Sequence, residues 1–386
     1  MTIGMWCRRK QTGSSGARRT VISFLLLSVC CLPPATFCRS AFGAGAVWTR
    51  QHSGTMAWLR SVYFLDAETG WAVGGKGTLL ATSDGGKNWK AMPRPTEDAL
   101  RDVYFFDART GWLVCERNIY LLKTNDEARA YLLKTTDGGA TWARVEAAGA
   151  DVDARLVRVV FADSERGWVF GEAGALYATE DGGATWARQR VPTRHLLLGG
   201  TFLDPQRGWL VGAGATLLHT ADGGATWRAG GIERNAAIVH DSTAPASTPS
   251  PAAPSGGTRL NAVSFVDARR GWAVGAGGAV FTTDNGGRSW RAQESNTEAD
   301  LLDVKFFDET EGWAVGVGGT VLHTADGGRR WQALASGTKH PLERVCFAGR
   351  NRGWAVGFGG TIIAYGPAAD DHRQTRPRLK SVASQS

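Results

Sequence analysis

Carboxylates at regular intervals are the first side chains of this sequence whose spacing could support chemistry. A segment of the form Thr-x-Asp-Gly-Gly recurs along the chain, once with asparagine in place of aspartate. Paired carboxylates can hydrolyse glycosidic bonds, but an aspartate before two glycines also forms a tight turn, because it accepts following N–H groups and glycine adopts positive φ. Since each stands in a separate repeat, we interpret them as structural turn residues. The set is Asp84, Asp137, Asp181, Asp222, Asn285 and Asp326.

Arginines are the second group with a suggestive arrangement. Several lie near the start of the first strand predicted for a repeat, and others lie in the connections around the third repeat. In a closed ring these positions gather around one mouth of the central channel. We expect them to be exposed charges that form a docking surface for an acidic protein partner. The candidate partner-binding residues are Arg60, Arg101, Arg155, Arg158, Arg188, Arg190, Arg194 and Arg344.

Motifs of common enzymes are not recognisable in the sequence. It contains no glycine-rich phosphate loop opening a helix, no H-E-x-x-H and no nucleophile elbow. The two cysteines outside the N-terminal segment, Cys115 and Cys346, have no spacing that indicates a zinc or redox site. We therefore predict no metal, no cofactor and no catalytic residues.

A repeat accounts for most of the chain. A Gly-Trp pair occurs seven times, and the intervals between successive tryptophans are 41, 56, 41, 63, 41 and 41 residues. The unit reads L-x-x-V-x-F-x-D-x-x-x-G-W-x-V-G-x-x-G-x-x-x-x-T-x-D-G-G-x-x-W, in which alternating apolar residues and glycines indicate four short strands. Four strands and a period in the low forties are typical of a propeller blade. The sequence therefore predicts an all-β fold, a seven-bladed β-propeller with four-stranded blades.

The two ends of the repeat array predict how the ring closes. The seventh unit lacks the Asp-Gly-Gly turn and is one strand short, whereas residues 47–51 resemble the strand that follows such a turn. We predict that this N-terminal strand completes the seventh blade, which removes the exposed sheet edge. Two insertions interrupt the repeat: residues 115–130 in the second unit, where a duplicated Tyr-Leu-Leu-Lys-Thr leaves the register ambiguous, and residues 241–257, expected to be a disordered loop.

Outside the propeller, predicted over residues 47–365, the termini hold most of the excess positive charge. The formal net charge is +8, but residues 1–46 contain six cations and no acid, and residues 366–386 contain four cations and two acids. The near-neutral body argues against nucleic-acid binding. Residues 1–46 combine a basic stretch, a short apolar core and small residues, which predicts a signal peptide. We expect an exported monomer, periplasmic or lumenal, with a disordered tail over residues 366–386; an uncleaved N-terminal membrane anchor is the alternative.

The Gly-Trp-x-Val-Gly and Thr-x-Asp-Gly-Gly-x-x-Trp segments resemble those of the photosystem II stability/assembly factor family. The resemblance covers residues 47–365 and implies a non-catalytic propeller scaffold that binds a protein partner, a photosystem II assembly intermediate. Sialidases and xyloglucanases share the turn, so a glycoside hydrolase is an alternative, although the arginine triad and Tyr–Glu pair of sialidases are not recognisable. A general cell-envelope scaffold in a non-photosynthetic bacterium is a further alternative.

Cleavage of the predicted signal peptide can be tested directly. We expect N-terminal sequencing of the native protein to begin between about Ser40 and Val47, because small residues precede this point. A full-length protein recovered from the cytoplasm would contradict export.

Overall fold

The computed structural model describes residues 46–118, 120, 128–145, 147–148, 154–233 and 258–367. In this part of the chain, seven antiparallel sheets are arranged as blades around an axis, as the repeat predicts. The first strand of each blade contacts the first strands of its two neighbours, so these seven strands line the centre. The signal-peptide prediction, the segment 241–257 and most of the predicted tail lie outside the described residues.

Each blade contains four antiparallel strands, numbered from the centre outward along the chain except that β1 belongs to the last blade. The first three blades consist of β2 (Leu59–Phe64), β3 (Thr69–Gly74), β4 (Leu79–Ser83) and β5 (Lys90–Ala91); β6 (Ala99–Phe105), β7 (Gly111–Glu116), β8 (Ala130–Thr135) and β9 (Ala143–Val145); and β11 (Leu156–Phe161), β12 (Gly167–Gly171), β13 (Leu176–Thr179) and β14 (Trp186–Arg188). Blades four and five consist of β15 (Leu197–Phe202), β16 (Gly208–Gly212), β17 (Thr216–Thr220) and β18 (Arg228–Ala229); and β20 (Leu260–Phe265), β21 (Gly271–Gly275), β22 (Val280–Thr283) and β23 (Ser289–Gln293). Blades six and seven consist of β24 (Leu301–Phe306), β25 (Gly312–Gly316), β26 (Val321–Thr324) and β27 (Gln332–Ala333); and β28 (Leu342–Phe347), β29 (Gly353–Gly357), β30 (Ile362–Pro367) and β1 (Ala46–Gln51).

Two blades carry a short fifth strand that the repeat does not predict. β10 (Ala147–Ala148) pairs in parallel with β14, and β19 (Gly231–Ile232) pairs in parallel with β23. In both places the chain has left the outer strand of one blade and runs along the outer edge of the next before it turns inward. In the third, fifth, sixth and seventh blades a short 3-10 turn joins the second strand to the third, at Glu172–Gly174, Ala276–Gly278, Val317–Gly319 and Phe358–Gly360. Within the described residues, no helix is long and apolar enough to span a membrane.

A contact between one phenylalanine and two tryptophans, repeated at every blade interface, holds the ring together. At five interfaces the phenylalanine that ends a first strand lies flat against the Gly-Trp tryptophan of the preceding blade, as in the Trp354–Phe64 pair with ring centroids 3.4 Å apart. The Trp112–Phe161 and Trp313–Phe347 pairs are tilted, at 33° and 39°. The edge of the phenylalanine meets the tryptophan that follows the turn in its own blade, as in the Phe64–Trp89 pair at 5.7 Å and 89°. Because an aromatic side chain buries 150–250 Å², these contacts contribute a large share of the apolar burial.

The glycine of each Gly-Trp pair makes room for that phenylalanine. A Cβ atom on Gly70 would lie 2.6 Å from the ring of Phe64, and one on Gly353 would lie 2.3 Å from the ring of Phe347. The corresponding glycines of the other five blades are equally close to their phenylalanines. The Gly-Trp pair is therefore a packing requirement that recurs seven times.

The Asp-Gly-Gly turns are held by their own side chains. In the fourth blade, Asp222 accepts hydrogen bonds from the backbone N–H of Thr226 at 2.8 Å and from its hydroxyl, while Thr220 binds the carboxylate at 2.8 Å. The bonds from Thr226 hold the pKa of Asp222 at about 2. In the fifth blade Asn285 accepts the N–H of Ser289 at 3.0 Å in the same way. These side chains are thus occupied within their own turns.

The N-terminal strand closes the ring as predicted. β1 pairs antiparallel with β30 over its whole length, from Ala46 opposite Pro367 to Gln51 opposite Ile362. Trp48 lies edge-on to Phe347 at 6.1 Å and also contacts Trp313 and Tyr365, so it takes the place of the tryptophan that follows the turn in other blades. In the second blade β7 pairs with residues 130–135, which settles the ambiguous register in favour of the second copy of Tyr-Leu-Leu-Lys-Thr.

Closure by Trp48 can be tested by substitution. Trp48→Ala should lower the free energy of unfolding by about 3–5 kcal/mol, because it leaves a cavity at a buried aromatic cluster. The neighbouring Thr49 is exposed, and Thr49→Ala should change stability by less than about 0.5 kcal/mol. Urea denaturation measures both, and equal stability of the two variants would contradict the closure role.

Candidate functional site

The two faces of the ring differ in what they carry. First strands begin, second strands end and fourth strands end on one side, which we call the mouth face. The Asp-Gly-Gly turns and the connections from first to second strands lie on the opposite side, which we call the box face. Arginine residues at the starts of the first strands therefore belong to the mouth face.

A cavity of about 170 Å³ lies at the centre of the mouth face. One residue from each blade lines it, always the residue directly after the first leucine of the first strand. These seven residues are Arg60, Arg101, Val157, Leu198, Asn261, Leu302 and Glu343, and they are joined by Arg155, Arg158 and Arg344. The structure thus brings five of the eight candidate arginines together around the channel.

A β-bulge at the same position of every blade directs these residues into the channel. The pairing of first and second strands shifts between the leucine and the residue two positions later, for example between Leu59 and Ser61 and between Leu342 and Arg344. A bulge places one extra residue in a strand and re-aims its side chain. The cavity therefore receives side chains from two successive positions of a first strand.

Three arginines at the rim of the cavity are partly exposed and paired with glutamates. Arg60 lies 3.5 Å from Glu343, and Arg155 lies 3.1 Å from Glu172. Arg101 pairs with Glu116. Side-chain exposure of Arg60, Arg101 and Arg155 is 22–26%, so each can still meet a ligand. Arg129 links Glu116 to Glu172, at 3.3 and 3.0 Å, and extends this network along the rim.

Two further arginines reach carboxylates of non-adjacent blades, contrary to our expectation that they are exposed. Arg344 of the seventh blade pairs with Asp102 of the second, and Arg158 of the third lies 3.4 Å from Asp303 of the sixth. The side chains of Arg158 and Arg344 are only 12% and 14% exposed. The expectation was wrong because the bulge turns this position inward, where a buried carboxylate meets it.

The two buried aspartates are held in equivalent ways. Asp102 accepts the N–H of Val159 at 3.0 Å and the hydroxyl of Ser61 at 2.6 Å, and Asp303 accepts the N–H of Val345 at 3.0 Å. Burial raises the pKa of Asp303 to about 7, against the opposing effect of its backbone hydrogen bonds. Each aspartate thus ties the adjacent first strand to an arginine from across the channel.

The remaining three candidate arginines lie in a separate cavity of about 370 Å³ on the third blade. Arg188, Arg190 and Arg194 line it with Gly174 and Thr193 at the outer end of the same face. Among the described residues, none of the three guanidinium groups has a hydrogen-bonded or ion-paired partner. The structure therefore divides the predicted arginine surface into a paired central part and an unpaired outer part.

The acidic partners were missed by the sequence analysis, although a signal for them exists. Two positions after the first leucine, the repeat carries aspartate in blades two and six and arginine in blades three and seven: Asp102, Asp303, Arg158 and Arg344. Opposite charges in one column of a closed repeat indicate contacts across the axis. The described residues contain no group of three or more histidine, cysteine or acidic side chains that could hold a metal ion.

Comparison with known proteins places the sequence in one family. The sequence pattern of the family described as photosynthesis system II assembly factor YCF48 matches residues 43–127, 88–195, 184–243 and 255–343, which is more than half of the chain. No curated protein matches the sequence significantly.

Solved structures share the fold. YCF48 from Cyanidioschyzon merolae matches with a TM-score of 0.63 and 21% identity, over 83% of this chain and 99% of that chain. A structure of YCF48 bound to D1 peptide matches with a TM-score of 0.62 and 20% identity, over 85% and 99% of the two chains. The GH74 xyloglucanase from Xanthomonas campestris matches with a TM-score of 0.60 and 14% identity, over 82% of this chain and 53% of that chain.

The bridges across the channel predict a stability role for Arg344. Arg344→Ala should lower the free energy of unfolding by about 3–5 kcal/mol, because it leaves the buried Asp102 carboxylate without its cation. Arg188→Ala, on the same face but exposed and unpaired, should change it by less than about 0.5 kcal/mol. Adding Asp102→Asn to Arg344→Ala should recover part of the loss. If urea denaturation gives Arg344→Ala and Arg188→Ala the same free energy of unfolding, the stabilising role of the Arg344–Asp102 pair is contradicted.

Proposed function

The chain belongs to the photosynthesis system II assembly factor YCF48 family, and we propose that it is a non-catalytic scaffold that binds a protein partner at the mouth face. The observation that carries this proposal is the central cavity, where seven blades each contribute one residue and five arginines converge. Guanidinium groups bind carboxylates through paired hydrogen bonds. The cavity therefore suits acidic groups of a polypeptide.

The nature of the partner is proposed from a relative. A related YCF48 structure contains D1 peptide. We extend this to the present chain and propose that it binds a segment of a membrane protein during photosystem II assembly. Arg60, Arg101 and Arg155 are the arginines that a partner reaches, because their side chains are partly exposed whereas Arg158 and Arg344 are committed to buried aspartates.

Export is part of the same proposal. The composition of residues 1–46 supports a signal peptide, and an exported propeller meets the parts of a membrane protein that face the periplasm or lumen. This location rests on the sequence alone.

Glycoside hydrolysis is the alternative, since a xyloglucanase shares the fold. Glycosidases of the usual type need two carboxyl groups about 5–10 Å apart on either side of the bond that is cleaved. The residues that line the central cavity include a single carboxylate, Glu343, and it binds Arg60 and the indole N–H of Trp58. This lining favours binding over glycoside hydrolysis.

Binding of labelled D1 peptide, measured by fluorescence anisotropy at several salt concentrations, tests the proposal. Replacing Arg60, Arg101 and Arg155 together by glutamine should weaken binding at least 10-fold at low salt, because each lost charge contact contributes about 0.5 kcal/mol. The loss should shrink as salt rises, because salt screens charge pairs.

A charge-matched control comes from the box face. Arg288→Ala, Arg329→Ala and Arg330→Thr together remove three positive charges. They give the fifth turn the Ala, and the sixth turn the Ala and Thr, of the second, third and fourth turns. This variant should bind like the parent. If the parent does not bind D1 peptide, the photosystem assignment fails; if the two triple variants bind equally well, the mouth is not the binding site.

A further inference from the structure

An exposed aromatic cluster borders the arginine cavity where the ring closes. Trp58 and Phe358 meet edge to face with ring centroids 5.3 Å apart and are 37% and 46% exposed. Met56 is 82% exposed and lies two residues before Trp58, on the connection from β1 to β2. This connection is tied to the seventh blade by a 2.7 Å hydrogen bond from the N–H of Gly360 to the carbonyl of Ala57. We call Met56, Trp58 and Phe358 the aromatic cluster.

The repeat does not require these residues. Of the fifteen tryptophans in the described residues, Trp58 is the one that belongs neither to a Gly-Trp pair nor to the position after a turn, which Trp48 occupies in the seventh blade. The residue before the first leucine is alanine, arginine, leucine, aspartate or proline in other blades, as at Ala99 and Asp300, and the position of Phe358 is alanine at Ala213 and Ala276. Those blades fold in the same way, so exposed rings here are not explained by the propeller.

Trp58 joins the aromatic cluster to the charged cavity. The guanidinium of Arg60 lies over its ring at 3.6 Å, and its indole N–H donates a 2.8 Å hydrogen bond to Glu343. Arg60 and Glu343 both line the cavity. The indole is therefore held in place from the cavity side, and Phe358 meets its ring edge to face.

We propose that the aromatic cluster binds an apolar side chain of the partner segment whose acidic group enters the arginine cavity. The partner chemistry is then an acidic residue close in sequence to an aromatic or large aliphatic residue. This proposal deepens the proposed function and rests on it. Interface hot spots, the few residues that contribute most of the binding free energy, are enriched in aromatic residues and arginine. Trp58, Phe358 and Arg60 have this composition, and the two rings are already held in place.

The size and surroundings of the aromatic cluster favour one peptide side chain over other occupants. A stable dimer buries about 800 Å² on each partner, more than three side chains provide. Binding to an anionic bilayer favours cations free of partners around the apolar residues, whereas Arg60 is paired with Glu343 and stacked on Trp58.

Two acidic peptides measure the contribution of the aromatic cluster. Both are labelled 12-residue peptides of glutamate and serine, and one of them has a central serine replaced by phenylalanine. The parent protein should bind the phenylalanine peptide at least 5-fold more tightly. Phe358→Ala, which leaves Arg60 and Glu343 in place, and Trp58→Ala should each reduce this ratio to below about 2-fold. Replacing Arg60, Arg101 and Arg155 together by glutamine should weaken the binding of both peptides and leave a clear preference for the phenylalanine peptide.

The matched control is Phe106, a 41% exposed ring on the box face. Its position is alanine in the third and seventh blades, so Phe106→Ala should fold normally and keep the parent ratio. A parent ratio near 1, or an unchanged ratio in Phe358→Ala and Trp58→Ala, overturns the proposal. The proposal is also overturned if Phe358→Ala and Trp58→Ala lose binding to anionic vesicles, or lose self-association, while the peptide ratio is unchanged. If the parent protein keeps its preference for the phenylalanine peptide but does not bind D1 peptide, only the photosystem assignment is refuted.

Discussion

The packing of one phenylalanine between two tryptophans, above a glycine without a Cβ atom, is the contact on which the ring depends. It recurs at every blade interface, and each copy joins two consecutive blades. Five of the seven Gly-Trp tryptophans lie flat on the phenylalanine of the next blade, with centroids 3.4–3.7 Å apart. At the interface of blades six and seven the stack opens to 5.6 Å and 39°, because Trp48 and Tyr365 enter it where the ring closes.

This rigid frame fixes the starts of the seven first strands, and the bulge at each start decides what the centre contains. The bulge turns side chains inward at these starts, so arginines and acids from non-adjacent blades meet there. The resulting pairs of Arg158 with Asp303 and of Arg344 with Asp102 connect blades that share no interface. Burying an ion pair costs desolvation free energy. Removing one partner nevertheless destabilises the fold strongly, because the other charge stays buried without a counterion. The centre thus stabilises the ring and is also the surface that we propose for recognition.

In the proposed binding mode, charge and apolar contact both contribute to recognition. At the rim, the partly exposed arginines are paired with glutamates, so a partner carboxylate competes with Glu343, Glu116 or Glu172 for a guanidinium group. Charge alone then gives modest affinity and strong salt dependence. The aromatic cluster supplies the part of the affinity that does not depend on salt. Because it lies beside Arg60, one short peptide segment can reach both the charged and the apolar contacts.

The sequence by itself determined the blade count, the strand order, the closing strand and the turn role of the aspartates, because these follow from local spacing repeated seven times. It also placed Arg60, Arg101 and Arg155 correctly at one face. Only the tertiary structure decided which arginines are available. Arg158 and Arg344 pair with aspartates of non-adjacent blades, which lie 145 and 242 positions away in the sequence. The same holds for Trp58 and Phe358, which are 300 residues apart in the chain and become neighbours when the ring closes. Contacts across the axis and across the closure depend on how the blades are arranged, and the pattern within one repeat carries no information about either.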